Sequence, residues 1–229
     1  MLIAPDGPGA RRRRQTPLTG EDQTTTIPAA VDSFSAGLAA RGWRYVEAPM
    51  TRTPKHAEAG QVNILYGGDA AILESLRPYF QRYAENVFHI GPVGHAIRLK
   101  LIHNFIAFAN VLSWCEGFAL AAKEGLDLSR VISIISAAGG RSGMLDLYGQ
   151  STLDGDFTPL MSLANATKDV AYYARWIEQA GLPGFFSDAV HQSYRMAELG
   201  GHDAESCTAV IKFYEEITGV AARMPRGPD

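Results

Sequence analysis

GPVGHAIRLKLIHN, residues Gly91 to Asn104, passes from a glycine turn directly into a long apolar run. Lys100 and Asn104 stand four residues apart, so in a helix they share one face. The residues after them are greasy: Phe105, Ile106, Phe108, Val111, Leu112, Trp114, Phe118 and Leu120. An ammonium and a carboxamide are costly to bury on such a helix unless they meet something polar. A lysine desolvated by apolar walls has its pKa lowered toward neutrality, which suits a proton-transfer group. The same residues also describe a snorkelling lysine on a core helix, and this segment alone leaves both readings open. The run from Leu101 to Ala122 holds His103, Asn104, Asn110, Ser113 and Glu116, too many polar groups for a bilayer span. A helix apolar nearly all round belongs in a core or a subunit interface.

Upstream of this helix, between Asp22 and Ile90, strand and helix patterns alternate. Pro28 opens a helix that runs through Phe34 and Leu38 to Gly42, a C-terminal glycine. Trp43 to Val46, Val62 to Tyr66 and Val87 to Ile90 read as short strands, and Ala70 to Tyr83 as a helix capped by Asp69. This is βαβ-type alternation, hence a partial sheet layer. After Gly94 no strand pattern appears, and helices are expected near 94–124, 128–137, 141–150, 160–180, 184–199 and 204–218. Four segments follow: a disordered tail (1–21) containing Arg11-Arg12-Arg13-Arg14, an α/β part (22–90), a helical part (91–219) and a short tail (220–229).

Four motifs in register carry a family likeness. They are Asp22-Gln23-Thr24-Thr25-Thr26-Ile27-Pro28, the loop from Glu47 to Gly60, the Lys100–Asn104 helix, and Ala166-Thr167-Lys168-Asp169-Val170. Together they resemble the β-hydroxyacid dehydrogenase family, which contains 3-hydroxyisobutyrate dehydrogenase and tartronate semialdehyde reductase. The resemblance implies an α/β remnant of a Rossmann-type nucleotide-binding domain, followed by an all-α domain with one long central helix. It further implies an NAD- or NADP-dependent oxidoreductase of small 3-hydroxy acids, with Lys100 as general acid/base and Asn104 on the substrate oxygen. Thr51 falls on the hydroxyl residue of the family's substrate loop, and Thr25 and Lys168 on its cofactor contacts.

The departures from the family pattern are equally specific. Arg52 and Thr53 stand where the loop normally carries two glycines. Arginine grips carboxylates bidentately, so the anion site here is expected to use side chains; a solvent-facing arginine fits the sequence as well. His103 replaces the first asparagine of the family's Asn-Asn pair. Its Lys-x-x-His-Asn spacing resembles 6-phosphogluconate dehydrogenase. The residue seven after the lysine is Ala107, where that enzyme has its glutamate, so a decarboxylating role is rejected. His103 reads either as a contact for a hydroxylated acid or as a histidine bonded within the core. The chain shows no G-x-G-x-x-G between a strand and a helix, and is expected to be the back two-thirds of such an enzyme, truncated or mis-started. The alternative is an inactive remnant serving only as a helical dimerisation module.

Composition excludes other classes. A net charge of -3 gives no footprint for nucleic acid or an anionic membrane. Cys115 and Cys207 have no metal spacing and read as buried thiols of a reducing, cytoplasmic compartment. The histidines show no metal-ligand pattern, and no Ser-His-Asp arrangement is visible. A homodimer is expected, because Phe105, Phe108, Leu112, Trp114 and Phe118 spread over more faces than one small domain covers easily.

Overall fold

A computed structural model describes residues 18–224. Its first part is a sheet layer built from β1 (Thr19–Asp22), α1 (Pro28–Ala39), β2 (Arg44–Glu47), β3 (Met50–Thr51), α2 (Pro54–Glu58), β4 (Val62–Gly67), α3 (Ala70–Phe80) and β5 (Ala84–Gly91). β1 pairs parallel to β2, β2 and β3 run antiparallel to β4, and β4 pairs parallel to β5. β2 and β3 are two halves of one path bent at Ala48-Pro49, since Leu65 N bonds Pro49 O at 2.9 Å within the same ladder. Local chemistry sets the helix ends. Pro28 takes the first turn of α1, Gly42 relaxes at φ 72° just beyond it, and the Asp69 carboxylate accepts from Ala71 N (2.7 Å) to cap α3.

The rest is helical: α4 (His95–Lys123), α5 (Leu128–Ser136), α6 (Gly143–Leu153), α7 (Leu163–Gln179), α8 (Phe185–Ala197) and α9 (Val210–Thr218). A π turn follows α8 and a 3-10 turn (Cys207–Ala209) leads into α9. The serines Ser142 and Ser162 cap α6 and α7 through their hydroxyls. α4 is the axis: α6, α7, α8 and α9 pack around it, and its first turns lie against β4 and β5. Leu101, Val111 and Phe118 are fully buried along it. Each such side chain contributes roughly 1.5–3 kcal/mol of transfer free energy. The fold class read from the sequence is therefore the observed one, a partial α/β layer followed by helices.

Four expectations need correction. The tail expected over 1–21 ends earlier, because Thr19 to Glu21 already belong to β1; a make-up of one glycine and three polar residues hid the strand. Residues 1–17, with the arginine run, lie outside the described residues. The tail expected at 220–229 begins later. Ala222 is fully buried and Met224 N bonds Leu153 O at 2.8 Å, while 225–229 lie outside the described residues. The loop after Glu47 hides a two-residue strand and the short α2, both below the length at which periodicity is readable. Finally, Phe105, Phe108, Leu112, Trp114 and Phe118 are all buried by their own chain, so they offer no surplus surface to a partner. The exposed apolar residues on the first half of α4 are Leu99, Ile102 and Ile106 instead. Among the described helices only α4 is long and apolar enough to cross a membrane, and more than half of that stretch is buried within the chain.

Candidate active site

The site is organised by a buried carboxylate. Glu47, at the end of β2, is 1% exposed and accepts hydrogen bonds from Gly94 N and from Ile97 N, the latter at 3.1 Å. These are amides of the first turn of α4, where helices leave N–H groups unpaired and the dipole favours an anion. Burial pushes the Glu47 carboxyl up, and the amides of Gly94, Ile97 and Ala96 oppose that rise. Gly94 sits at φ 91°, and a Cβ there would collide with the Arg98 guanidinium. A side chain at this left-handed entry would be strained, which favours glycine there. Glu47 thereby locks the rotation of α4 against the sheet, and with it the direction in which Lys100 and Asn104 point.

Those two residues open into one cleft of about 270 Å³ between the sheet layer and the helices. Thr51, Arg52 and Thr53 line its sheet side; Lys100, His103 and Asn104 line its α4 side. Met144, Tyr148 and Met161 supply apolar wall. All six residues singled out on the substrate side thus meet in one place, although about fifty residues of chain separate the two groups.

Lys100 is buried, and its Nζ donates to the Met50 carbonyl at 2.6 Å. Desolvation pulls its pKa from 10.5 down to about 8, Asp169 pulls it back up, and the nearby Lys168 lowers it. One of three ammonium hydrogens is committed to Met50, so the others remain for a ligand. Asn104 Nδ2 donates to Asp169 Oδ2 at 2.7 Å, and its Oδ1 lies 3.0 Å from His103 Nδ1. Asp169 is itself buried; its Oδ1 makes no hydrogen bond and stands 3.3 Å from Lys168 Nζ as an ion pair. A lysine close to neutrality beside a fixed amide is equipped to exchange a proton with a hydroxyl.

Arg52 has the backbone of a glycine. It is the one non-glycine with positive φ among the described residues, at 81°. Its guanidinium is turned to Glu85 and to Gln61 O (2.6 Å). Thr53 begins α2, and its hydroxyl meets His56 Nδ1 at 2.7 Å. Thr51 is buried on β3, opposite Asn63.

The two cofactor-side residues lie elsewhere. Thr25 sits half-buried in the loop between the carboxyl end of β1 and α1, the end of a parallel strand where nucleotides bind in α/β sheets. Lys168, on α7, lines a second groove of about 570 Å³ with Tyr172, Arg175, His191 and Arg195. Lys168 and Arg175 offer this groove positive charge, while Arg195 is ion-paired with Glu198 on the same lining. Among the described residues no cluster of His, Cys, Asp or Glu could hold a metal ion. Burial pushes both thiols up, Cys207 to about 12, so they are inert core groups. Sequence reasoning missed Glu47 as the clamp of α4. It also passed over Asp169, although the Lys168-Asp169 pair was in view.

Comparison with known proteins identifies the family. Residues 94–214 match the family model described as the NAD-binding part of NADP-dependent 3-hydroxyisobutyrate dehydrogenase. Residues 21–91 match that of the NAD binding domain of 6-phosphogluconate dehydrogenase. The chain is 26% identical over 201 residues to 2-(hydroxymethyl)glutarate dehydrogenase of Eubacterium barkeri, covering 87% of this chain and 67% of that protein. It is 26% identical over 194 residues to L-threonate dehydrogenase of Cupriavidus necator, covering 84% and 65%. The crystal structure of 3-hydroxyisobutyrate dehydrogenase from Salmonella typhimurium superposes with a TM-score of 0.77 at 26% identity, over 85% of this chain and 68% of that one. The chain spans about two thirds of the length of these relatives. Because the first family model covers more than half of it, the chain belongs to the NADP-dependent 3-hydroxyisobutyrate dehydrogenase family, with a Rossmann-type sheet portion and a helical part.

Proposed function

We propose that this member of the family uses NAD or NADP to interconvert a small 3-hydroxy acid and its carbonyl form, with Lys100 exchanging the proton. The observation that carries the reading is the meeting of a buried, pKa-depressed Lys100 with Asn104, Thr51 and Thr53 around one cleft of about 270 Å³. That volume suits a small organic acid.

In oxidation the neutral Lys100 amine takes the hydroxyl proton, while a bound nicotinamide would supply the hydride acceptor for the substrate carbon. In reduction the ammonium returns the proton to the forming alkoxide. Asn104 holds the reacting oxygen, and its own orientation is held by Asp169. The substrate carboxylate lies against the Thr51 and Thr53 hydroxyls. Arg52 reinforces that side by charge, its guanidinium shared with Glu85. Thr25 and Lys168 would contact the cofactor when it is bound, and the Lys168 charge suits an anionic dinucleotide.

The test is direct. The purified chain is titrated with NADH and NADPH by fluorescence, then assayed with a panel of 3-hydroxy acids. Saturable binding and turnover that vanishes in Lys100→Met support the reading. No nucleotide binding supports the inactive, helical-module alternative instead.

A further inference from the structure

The hydrogen bonds around Asn104 have only one consistent direction, and they place a proton on His103 Nδ1. A carboxylate accepts and never donates, so the 2.7 Å contact with Asp169 Oδ2 must come from the Asn104 amino group. The amide therefore cannot be turned over. Its Oδ1 faces His103 Nδ1 at 3.0 Å, and an amide oxygen only accepts. The proton between them must sit on Nδ1. In a neutral imidazole the other nitrogen, Nε2, is then a bare acceptor. His103 is exposed on α4 and lines the cleft that holds Lys100.

We propose that Asp169, Asn104 and His103 form a one-way relay that leaves His103 Nε2 as an acceptor in the cleft, selecting acids that carry a hydroxyl beyond the one that reacts. Asp169 is a positioning residue in this scheme, acting through Asn104. The anchor of the relay is firm, because Asp169 is 3% exposed and the Lys168 ammonium stands 3.3 Å from its other oxygen. A hydroxyl can donate to Nε2, whereas a C–H at the same place leaves the nitrogen unpaired. One such hydrogen bond is worth about three- to tenfold in affinity. The inference rests on the cleft being the acid site proposed above, and concerns which acids it prefers.

The tautomer is read without any activity. Long-range nitrogen–proton correlation of the histidine-labelled chain in mildly alkaline buffer should show His103 protonated at Nδ1 and bare at Nε2. Asp169→Asn can donate to Asn104 Oδ1 and free the amide to turn, so the His103 signal should move toward the Nε2–H form. His103→Leu, an exposed replacement on a helix surface, identifies the signal and serves as the second variant. With saturating nucleotide, binding of 3-hydroxybutanoate is compared with that of 2,3,4-trihydroxybutanoate, which differ only in the hydroxyls at C2 and C4. The trihydroxy acid should bind about three- to tenfold more tightly, and His103→Leu should abolish the preference. An Nε2–H tautomer in the unmodified chain, a preference unchanged in His103→Leu, or failure to bind either acid overturns the proposal. The predicted tautomer and preference without hydride transfer would support the relay, while defeating only the dehydrogenase reading.

Discussion

The two walls of the cleft are built on opposite terms. On the α4 wall, Lys100 and Asn104 are buried, four residues apart on a rigid helix, and tied to Met50 and Asp169. On the loop wall, Thr51 is buried in a two-residue strand, while Arg52 is held at φ 81° with its charge turned to Glu85. The helix wall differs from the family pattern implied by the sequence likeness at His103; the loop wall differs at Arg52 and Thr53, with Arg52 in a left-handed backbone conformation. A helix fixes relative side-chain positions through its own hydrogen bonds, so it suits groups whose geometry must not drift. A loop anchored at its ends tolerates substitution, so differences in ligand preference accumulate there.

The comparison is broken most severely by Lys100→Met. Turnover should fall by about 10²–10⁴-fold, with the circular dichroism of the fold unchanged. Retention of near-full kcat would remove Lys100 from the chemistry and leave the helix wall as mere packing.

Next comes the pH dependence of stability. Burial lowers the folded-state pKa of Lys100 from 10.5 to about 8, so the unfolded chain holds the proton more tightly. Below pH 8 the lysine is charged in both states and the full burial cost applies. Between about 8 and 10.5 the folded chain has lost a proton that the unfolded chain still binds, so stability from this group rises with pH. The gain is about 3 kcal/mol. Denaturant melts from pH 7 to 10 should show that gain in the difference between the natural chain and Lys100→Met. A flat difference would mean that the lysine is solvated.

A smaller effect is expected from Glu47→Ala, which strips the acceptor from Gly94 N and Ile97 N at the start of α4. Stability should drop by about 1–3 kcal/mol, and turnover should fall further than the melt explains, because Lys100 and Asn104 lose their aim. Loss of stability with unchanged kinetics per folded molecule would make the clamp purely structural.

The loop wall should respond least. Arg52→Gly releases backbone strain worth about 1 kcal/mol and gives up a half-exposed ion pair worth 0–1 kcal/mol at most by rough measure. Net stability should stay within about 1 kcal/mol of the natural chain. KM for hydroxy acids should rise several-fold while kcat holds. A collapse of kcat would show that the loop shares the catalytic duty assigned to the helix, and the contrast between the walls would be lost.

Much of this was legible in the residues. The α4 pattern, the Asp69 cap, the Pro28 start and the α/β-then-helical order are consequences of short-range periodicity and capping, and they stand as read. β1 was not legible, because Thr-Gly-Glu-Asp has no alternating apolar face. Nor was the cover over Phe105, Phe108, Leu112, Trp114 and Phe118: a helix apolar all round reads the same whether its own chain or a partner buries it.

What the sequence by itself determined is the set of local relations. Lys100 and Asn104 share a helix face because 3.6 residues make a turn, and the glycine entry at Gly94 permits the turn that starts it. Only the tertiary structure decided which distant groups meet them. Glu47 reaches Ile97 N across fifty positions and Asp169 reaches Asn104 across sixty-five, while Arg52 turns aside to Glu85. No spacing rule encodes those pairings. They follow from how the helices pack around α4 and how the sheet closes on its first turn, where each buried polar group must find a partner or leave its desolvation cost unmet.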